Sequence, residues 1–353
     1  MEGVCSREEF HRALEIERSR ADRNERGFSL LLLEGGSVSR PAHDLIQALA
    51  RRIRQIDKIG WFDNQRIGVI LPYTSSTGAC KLADDIQRTM SPSRPTCRIY
   101  TYPGDWTPAE SGGEGDKNTR EPSIVCEGPP QALFADKIPV WKRVLDLVGS
   151  LFALVFLSPL LLLVAVLIKS VSAGPVILRQ KRIGHGGKCF TIRKFRTMTV
   201  HADSVLHQKH LTNLIKADEP MTKLDTNRDP RIIPLGNLIR RCGLDELPQL
   251  FNVLRGDMSL VGPRPCISYE AQQYLVWQRR RFDVVPGITG LWQVSGKNRT
   301  TFKEMIRLDI AYAERMSLWL DLRILLKTLP ALFQQIAEAI PAFRHDRLKT
   351  RST

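Results

Sequence analysis

The chain has 353 residues, which is room for two or three domains, and its 42% hydrophobic content excludes disorder over most of its length. Lys and Arg outnumber Asp and Glu by 15, which predicts a polyanionic partner: nucleic acid, a membrane surface or a phosphorylated substrate. The excess is uneven, because residues 1–136 carry 18 basic and 20 acidic side chains, whereas residues 137–353 carry 34 and 17. The basic character therefore belongs to the C-terminal part of the chain.

Seven scattered cysteines, without a CxxC pair, favour a reducing compartment over a disulfide framework or a structural zinc site. Residues 1–25 have no apolar core, so we expect no secretory signal peptide.

Residues 1–102 alternate between helical and extended patterns, which predicts a small α+β sandwich with helices on one face of a sheet. The order of these predicted elements resembles the nucleotide-cyclase domain of bacterial diguanylate cyclases. The stretch that corresponds to that family's signature loop contains Asp57, Asn64-Gln65 and Leu71-Pro72. The Gly-Gly-Asp/Glu-Glu-Phe loop of that family is missing, so a structural or regulatory role is expected rather than cyclase activity. The predicted helices are 6–26, 42–56 and 78–90, and the predicted strands are 28–33, one before Asn64, 66–71 and 96–102.

Residues 103–136 contain five Pro and five Gly with little apolar periodicity, which indicates a flexible linker.

The next segment, Leu147–Ile168, has 22 residues without a charge. As a straight helix it would be roughly 33 Å long, enough to span a bilayer. Ser158-Pro159 falls at its middle, where proline bends a helix, and basic residues flank both of its ends. A helix that enters, bends and returns satisfies both facts, although hydropathy alone favours a spanning helix with a tolerated kink.

Arg179–Met198 is rich in Lys and Arg and has turn glycines at 184, 186 and 187, which predicts a basic hairpin at a membrane surface. Further along, a basic helical element ends in Arg240-Arg241, and Gly243 terminates it. Asp245 and Glu246 form an acidic pair at the start of the next helix. Such a pair is most often a cap, but a helix start beside arginines also suits phosphate chemistry.

Short motifs then follow one another from Lys137 to about Leu329, in order and with consistent spacing. This region closely resembles the bacterial sugar transferases, monotopic polyprenyl-phosphate hexose-1-phosphate transferases that start exopolysaccharide and other glycan assembly on the membrane. The matching stretches are Lys142–Asp146 (KRVLD), Ser158-Pro159, Gly174-Pro175, Lys194–Met198 (KFRTM), Asp229–Arg231 (DPR), Leu244–Leu250 (LDELPQL), Asn252–Pro265 (NVLRGDMSLVGPRP) and Pro286–Gly290 (PGITG).

The resemblance implies that Asp245 attacks the sugar-bearing phosphate of a nucleotide sugar, with UDP the expected nucleotide. A polyprenyl phosphate such as undecaprenyl phosphate then takes the phosphosugar from the carboxylate. Glu246 is expected to assist as a base or a Mg²⁺ ligand, and Asp245 and Glu246 are the expected metal-binding pair. The substrate-binding residues expected from the family motifs are Lys194, Arg196, Arg240, Arg264, Lys297 and Asp321.

Two of these positions leave alternatives open. Lys297 stands where the family usually has Arg, so it lacks the bidentate fork, and Arg299 is placed to compensate. Asp321 is equally well read as a solvent-facing or orienting carboxylate on an amphipathic helix. That helix, Met316–Ile340, is expected to lie on a surface and to be interrupted at Pro330, with core packing as its alternative.

The resemblance also favours a re-entrant membrane helix broken at Ser158 and Pro159, with both termini cytoplasmic at the bacterial inner membrane. The predicted fold class is α+β: a small nucleotide-cyclase-like sandwich, a linker, the re-entrant helix and a mostly helical catalytic domain with a basic hairpin. Membrane lipid is an expected partner, and a homodimer is left open. The predicted domains are 1–102, the linker 103–136, the membrane hairpin 137–169, the catalytic domain 170–340 and a basic tail 341–353.

Two other classes of protein fit parts of the sequence. A non-enzymatic, membrane-anchored signalling or regulatory protein would not need Asp245. Nucleic-acid binding is suggested only by net charge, and we expect none because the basic residues surround a hydrophobic helix and no aromatic platform motif is present. The transferred sugar is not predicted.

Overall fold

A computed structural model of the chain divides into two compact units, Met1–Leu133 and Phe134–Thr353. The boundary falls within the predicted linker. The structure describes residues 4–24, 26–34, 40–90, 95–103, 124–126, 134–135, 137–199, 205–217, 220, 231–296 and 300–349.

The first unit is built on one sheet, which has six strands within the described residues, in the order β1-β3-β4-β2-β5-β6. The outer pairs β1–β3 and β5–β6 are parallel, and the inner pairs are antiparallel. The last strand lies inside the segment predicted as a linker, where the apolar Ile124 and Val125 pair with the edge of β5. The strands are β1 Val4–Cys5, β2 Phe28–Glu34, β3 Lys58–Trp61, β4 Arg66–Pro72, β5 Cys97–Tyr102 and β6 Ile124–Cys126, and the helices are α1 Arg7–Asn24, α2 Arg40–Ala50 and α3 Ser76–Thr89.

Helices cover both faces of this sheet, so the prediction of helices on one face was wrong. Leu31 and Leu33 pack in one core cluster with apolar residues of α2 and α3. On the opposite face, the Phe10 ring of α1 lies against Gly60 and Gly68. The central strand β2 has six buried residues in succession, and a strand buried on both faces requires a layer on each side.

The second unit begins with α4, Val140–Phe156, and α5, Ser158–Val171, which meet at Leu157 with a bend of 61°. Pro159 lies in the first turn of α5, where its missing N–H costs no helical hydrogen bond. The Ser158 hydroxyl donates to the Val155 carbonyl across the break. Among the described residues no single helix is long and apolar enough to cross a membrane, whereas this bent pair passes the test by length and composition.

The rest of the second unit follows the predicted order of a basic hairpin and then helices. Strands β7, Ile177–Ile183, and β8, Cys189–Phe195, pair antiparallel as predicted, and the turn uses Gly186 and Gly187 at positive φ. The later elements are α6 Val205–Ala217, α7 Gly236–Arg241, a 3-10 helix Leu244–Gln249, α8 Leu250–Arg255, β9 Ser259–Val261, α9 Ser268–Ala271, a 3-10 helix Val276–Phe282, β10 Gly287–Thr289, α10 Leu291–Val294, α11 Phe302–Arg315 and α12 Leu318–Lys349.

The last helix, α12, runs through Pro330 without a break, so the predicted interruption there was wrong. A proline removes one hydrogen bond, and here the helix continues on either side of it. Ile324 packs in a core cluster, whereas Trp319 and Leu326 of the same helix are exposed. Core packing therefore holds for one face, and placement of this helix on a membrane surface stays a prediction.

The start of α4 is hydrogen-bonded to the elements that follow the 3-10 helix Leu244–Gln249. The Arg143 guanidinium donates to the carbonyls of Val253 and Leu254 at the end of α8, at 2.7 and 2.6 Å. One oxygen of the Asp146 carboxylate accepts from the Leu260 N–H at 2.8 Å. The first turns of the predicted membrane hairpin are thus bonded to α8 and β9.

Candidate active site

The acidic pair lies in the first turn of the short 3-10 helix Leu244–Gln249, as the sequence predicted. The chain reverses out of α7 at Gly243, whose φ of 71° is accessible mainly to glycine. The Glu246 N–H then bonds back to the Gly243 carbonyl at 3.2 Å, which closes the first turn. This local geometry presents Asp245 and Glu246 together, both of them partly exposed.

Lys194 reaches the acidic pair from the neighbouring strand β8. Its Nζ lies 3.0 Å from Oε1 of Glu246, and the two side chains are 16% and 36% exposed. The carboxylate and the amine are therefore close enough to share a charge-assisted hydrogen bond while both stay within reach of a ligand. Lys194, one of the predicted substrate-binding residues, thus contacts the acidic pair.

Arg240 lies in the last turn of α7, immediately before the Gly243 reversal. Its Nη1 atom is buried and has no hydrogen-bond partner among the described residues. An unpaired buried donor costs free energy, about 1–3 kcal/mol, unless a ligand or water satisfies it. This donor suits a phosphate oxygen.

Arg264 has an exposed side chain on a loop whose backbone is held from inside the unit. The carbonyl of Arg264 accepts from the buried Arg281 at 2.7 Å, and the next carbonyl, of Pro265, accepts from Arg182 at 3.4 Å. The carbonyls on either side accept from backbone N–H groups of Gly287 and Ile183. A fixed backbone leaves the Arg264 guanidinium directed outward.

The structure gives Arg196 and Asp321 buried surroundings. The Arg196 guanidinium donates to the carbonyls of Ser172 and Ala173, just past the end of α5, at 2.9 and 2.8 Å. Asp321 is fully buried, which contradicts its solvent-facing reading, and it pairs with Lys142. Substrate binding by either residue stays a prediction. Lys297 and Arg299 lie outside the described residues.

A second buried charge cluster surrounds Arg281 and was not anticipated from the sequence. Its guanidinium donates to Asp309 at 2.6 Å and to the Tyr274 hydroxyl, and Tyr274 in turn donates to Glu270 at 2.5 Å. Burial raises the pKa of Asp309 from 3.8 to about 7, although Arg281 opposes the shift. Burial likewise raises the pKa of Tyr274, so its hydroxyl stays protonated and acts as a donor.

Sequence reasoning also missed Asn252, which is 1% exposed in α8 and bonds to the backbone of β8. The available signal was a lone carboxamide in the apolar run Leu250–Leu254, because a polar side chain in such a run needs a buried partner.

Among the described residues no three His, Cys, Asp or Glu side chains are grouped to hold a metal ion. Two adjacent carboxylates are nevertheless a fitting donor set for Mg²⁺, which commonly binds one or two carboxylates together with substrate phosphates and water. Asp245 and Glu246 supply such a set.

Comparisons with known proteins place this region in a family. Residues 138–335 match the family model described as bacterial sugar transferase. The exopolysaccharide production protein ExoY of Sinorhizobium fredii is 40% identical over 191 residues, which cover 54% of this chain and 84% of that protein. An undecaprenyl-phosphate galactose phosphotransferase of Salmonella typhimurium is 41% identical over 187 residues, covering 53% of this chain and 39% of that protein.

A third relative, the UDP-glucose:undecaprenyl-phosphate glucose-1-phosphate transferase of Xanthomonas campestris, is 43% identical over 197 residues, covering 54% of this chain and 38% of that protein. Among solved structures, a DGC protein from Thermotoga maritima aligns with 29% of this chain and 85% of its own, at 15% identity and a TM-score of 0.26, and a likeness of that size carries no argument. The family match covers more than half of the chain. The chain belongs to the bacterial sugar transferase family, and the enzyme class expected from the sequence, a phosphoglycosyl transferase, is confirmed.

Proposed function

We propose that the chain transfers a hexose-1-phosphate from a UDP-sugar to undecaprenyl phosphate, as the first membrane step of exopolysaccharide or related glycan assembly. The observation that carries the proposal is the contact between Lys194 and Glu246 beside Asp245. It joins a carboxylate nucleophile, a second carboxylate and a cation within one turn of a helix and one strand. Relatives named for galactose transfer and for glucose transfer are similarly identical to this chain, so the transferred sugar has to be identified by experiment.

In the proposed first step, a carboxylate oxygen of Asp245 attacks the phosphorus that bears the sugar. A new bond forms between that oxygen and the phosphorus, the bond to the bridging oxygen breaks, and UMP leaves with the electron pair. In the second step an oxygen of undecaprenyl phosphate attacks the same phosphorus and releases the Asp245 carboxylate. The product is undecaprenyl diphosphate sugar, and atoms and charge balance over the two steps.

Several cationic side chains are available to stabilise the negative charge that develops on phosphate oxygens during these steps. The Lys194 ammonium lies beside the acidic pair, and the unsatisfied Nη1 of Arg240 suits a phosphate oxygen. Arg264 offers an exposed guanidinium on a fixed loop. Preorganised cations stabilise developing negative charge in phosphoryl transfer.

Mg²⁺ is the proposed cofactor, with Asp245 and Glu246 as the residues that would hold it. When bound, it would neutralise phosphate charge and help the nucleotide to leave. Lys194 is then proposed to orient the Glu246 carboxylate.

We propose that α4 and α5 form a re-entrant hairpin in the cytoplasmic leaflet of the bacterial inner membrane, with both termini cytoplasmic. The 61° bend at Leu157 and the strongly exposed apolar side chains of both helices support this placement. Burying an exposed Val, Leu or Phe side chain in lipid contributes about 1.5–3 kcal/mol. Beyond Val140 at the start of α4, the most exposed of these residues are Val148, Phe152, Val155, Phe156 and Leu162, at 64–72%.

The test is UMP release by the full chain in detergent or lipid, with Mg²⁺, undecaprenyl phosphate and a panel of UDP-sugars. We expect UMP with one or a few sugars, and mass spectrometry of the protein without acceptor should show a phosphosugar adduct on Asp245. Asp245→Asn should abolish both signals, whereas Glu314→Gln, which alters an exposed carboxyl group of α11, should keep them. Absence of UMP with every sugar, from folded native protein, would refute the proposal.

A further inference from the structure

One edge of β8 is held by a side chain instead of a neighbouring strand. The other edge pairs with β7, where Lys194 lies opposite Leu178. On the free edge, the Arg193 N–H donates to Oδ1 of Asn252 at 3.1 Å, and Nδ2 of Asn252 donates to the Thr191 carbonyl at 2.7 Å. The carboxamide thus completes the backbone hydrogen bonding that a third strand would otherwise provide.

The orientation of this carboxamide is fixed by its surroundings. Nδ2 also lies 3.3 Å from Oδ2 of Asp257, so the amide nitrogen faces two acceptors and the amide oxygen faces one donor. Only a carboxamide offers an acceptor and two donor hydrogens in this arrangement. Aspartate at position 252 would set a carboxylate against both the Thr191 carbonyl and Asp257.

The same contact sets the position of Lys194 along the acidic segment. Side chains alternate along a strand, so Ile192 and Lys194 lie on one face of β8. Ile192 packs with Val253 and Met258 at one end of that face. Lys194 bonds to Glu246 at the other end. A shift of β8 along the helical segment 244–255 would separate the ammonium from the carboxylate.

We infer that Asn252 is a positioning residue, which holds β8 in the register that places Lys194 on Glu246. Its relevance to catalysis rests on the proposed function, whereas the positioning itself does not. Its side-chain bonds to β8 lie on the edge of that strand away from β7.

The first test measures the environment of Lys194 without any enzyme assay. The folded full chain is acetylated briefly, and peptide mass spectrometry compares the rate at Lys194 with that at Lys188, an exposed lysine preceding the same strand. In Asn252→Asp the relative rate should rise about two- to tenfold, the range expected when one hydrogen bond of ordinary strength is lost. Glu246→Ala gives the reference for a released amine.

The matched control is Val253→Ala. It weakens packing between the same two elements but leaves both hydrogen bonds of Asn252, so the Lys194 rate should stay at the native value. An unchanged Lys194 rate in folded Asn252→Asp would overturn the inference. If Asn252→Asp does not fold, Asp257→Ala decides in its place: it removes the carboxylate that accepts from Nδ2 and orients the carboxamide, and an unchanged rate there would equally overturn the inference.

The second test uses UMP release. Asn252→Asp should lower the rate several-fold in the native background and by less than about twofold in Lys194→Met, because residues that act through one another are not additive. An equal loss in both backgrounds would show a merely structural role and would overturn the inference. Native protein that releases no UMP would instead refute the proposed function, and the acetylation result would still decide the role of Asn252.

Discussion

Nζ of Lys142, in the first turn of α4, lies 2.6 Å from Oδ2 of Asp321 in α12, and both side chains are 1% exposed. The Tyr312 hydroxyl donates to the other oxygen of Asp321 at 2.7 Å, and Lys142 also donates to the Val261 carbonyl. The start of the proposed membrane hairpin is therefore tied to the C-terminal helix through a fully buried ion pair. Burial at this depth makes the pair sensitive to loss of either partner.

Asp321→Asn should destabilise the chain by about 3–5 kcal/mol, because it removes the carboxylate that is paired directly with the buried Lys142 ammonium. Thermal unfolding of the full chain in detergent measures the effect. The double variant Lys142→Met with Asp321→Leu should recover much of the loss, since it removes both charges. If the Asp321→Asn variant had the same melting temperature as the native chain, the role given to this pair would be contradicted.

The guanidinium of Arg143 covers the last carbonyls of α8, and it should contribute to holding the acidic segment. Arg143→Ala should cost about 1.5–3 kcal/mol, the range for hydrogen bonds to a charged group. Arg143→Lys should recover part of that loss, because an ammonium keeps the charge at the helix C-terminus but not the two-pronged contact. Chemical denaturation monitored by fluorescence compares the two variants, and equal losses would contradict the two-pronged contact.

Asp309 should make stability depend on pH near neutrality. Its pKa is raised from 3.8 to about 7 by burial, so between these values the folded chain binds a proton that the unfolded chain has released. The free energy of unfolding therefore falls as pH rises from about 4 to 7 on account of this group. Melting temperatures measured across this window should fall in the native chain and change less in Asp309→Asn. If the melting temperature changed equally with pH in the native chain and in Asp309→Asn, Asp309 would be excluded as the source of the pH dependence.

Sequence reasoning predicted the parts of the site that short-range patterns can encode. Short-range patterns placed Asp245 and Glu246 after a glycine that ends a helix, and the structure has them there. Lys194 was expected only through the family resemblance, and its contact with Glu246 comes from the fold. The pattern could not show the environment of Asp321, because its partner Lys142 is 179 residues away along the chain. A carboxylate on an amphipathic helix has the same local sequence whether it meets solvent or a buried lysine.

The N-terminal sheet shows a similar limit and one avoidable error. Phe28–Leu33 is an almost unbroken apolar run, and such a run is typical of a strand covered on both faces. The prediction of helices on one face overlooked this. The pairing of Ile124–Cys126 with β5 was beyond local reasoning, because it depends on a free sheet edge that only the folded unit creates.

The bent pair α4–α5 predicts where each end of the segment lies. Basic residues flank both ends, including Lys137 and Lys169, and both ends are therefore expected on the cytoplasmic side. In a cysteine-free chain, single cysteines at Glu8 and Glu314 should resist an impermeant maleimide in intact cells or spheroplasts. Both should react once the inner membrane is opened, which serves as the control for accessibility. A spanning helix would instead expose one of the two positions before lysis, so labelling of either in intact spheroplasts would contradict the re-entrant arrangement.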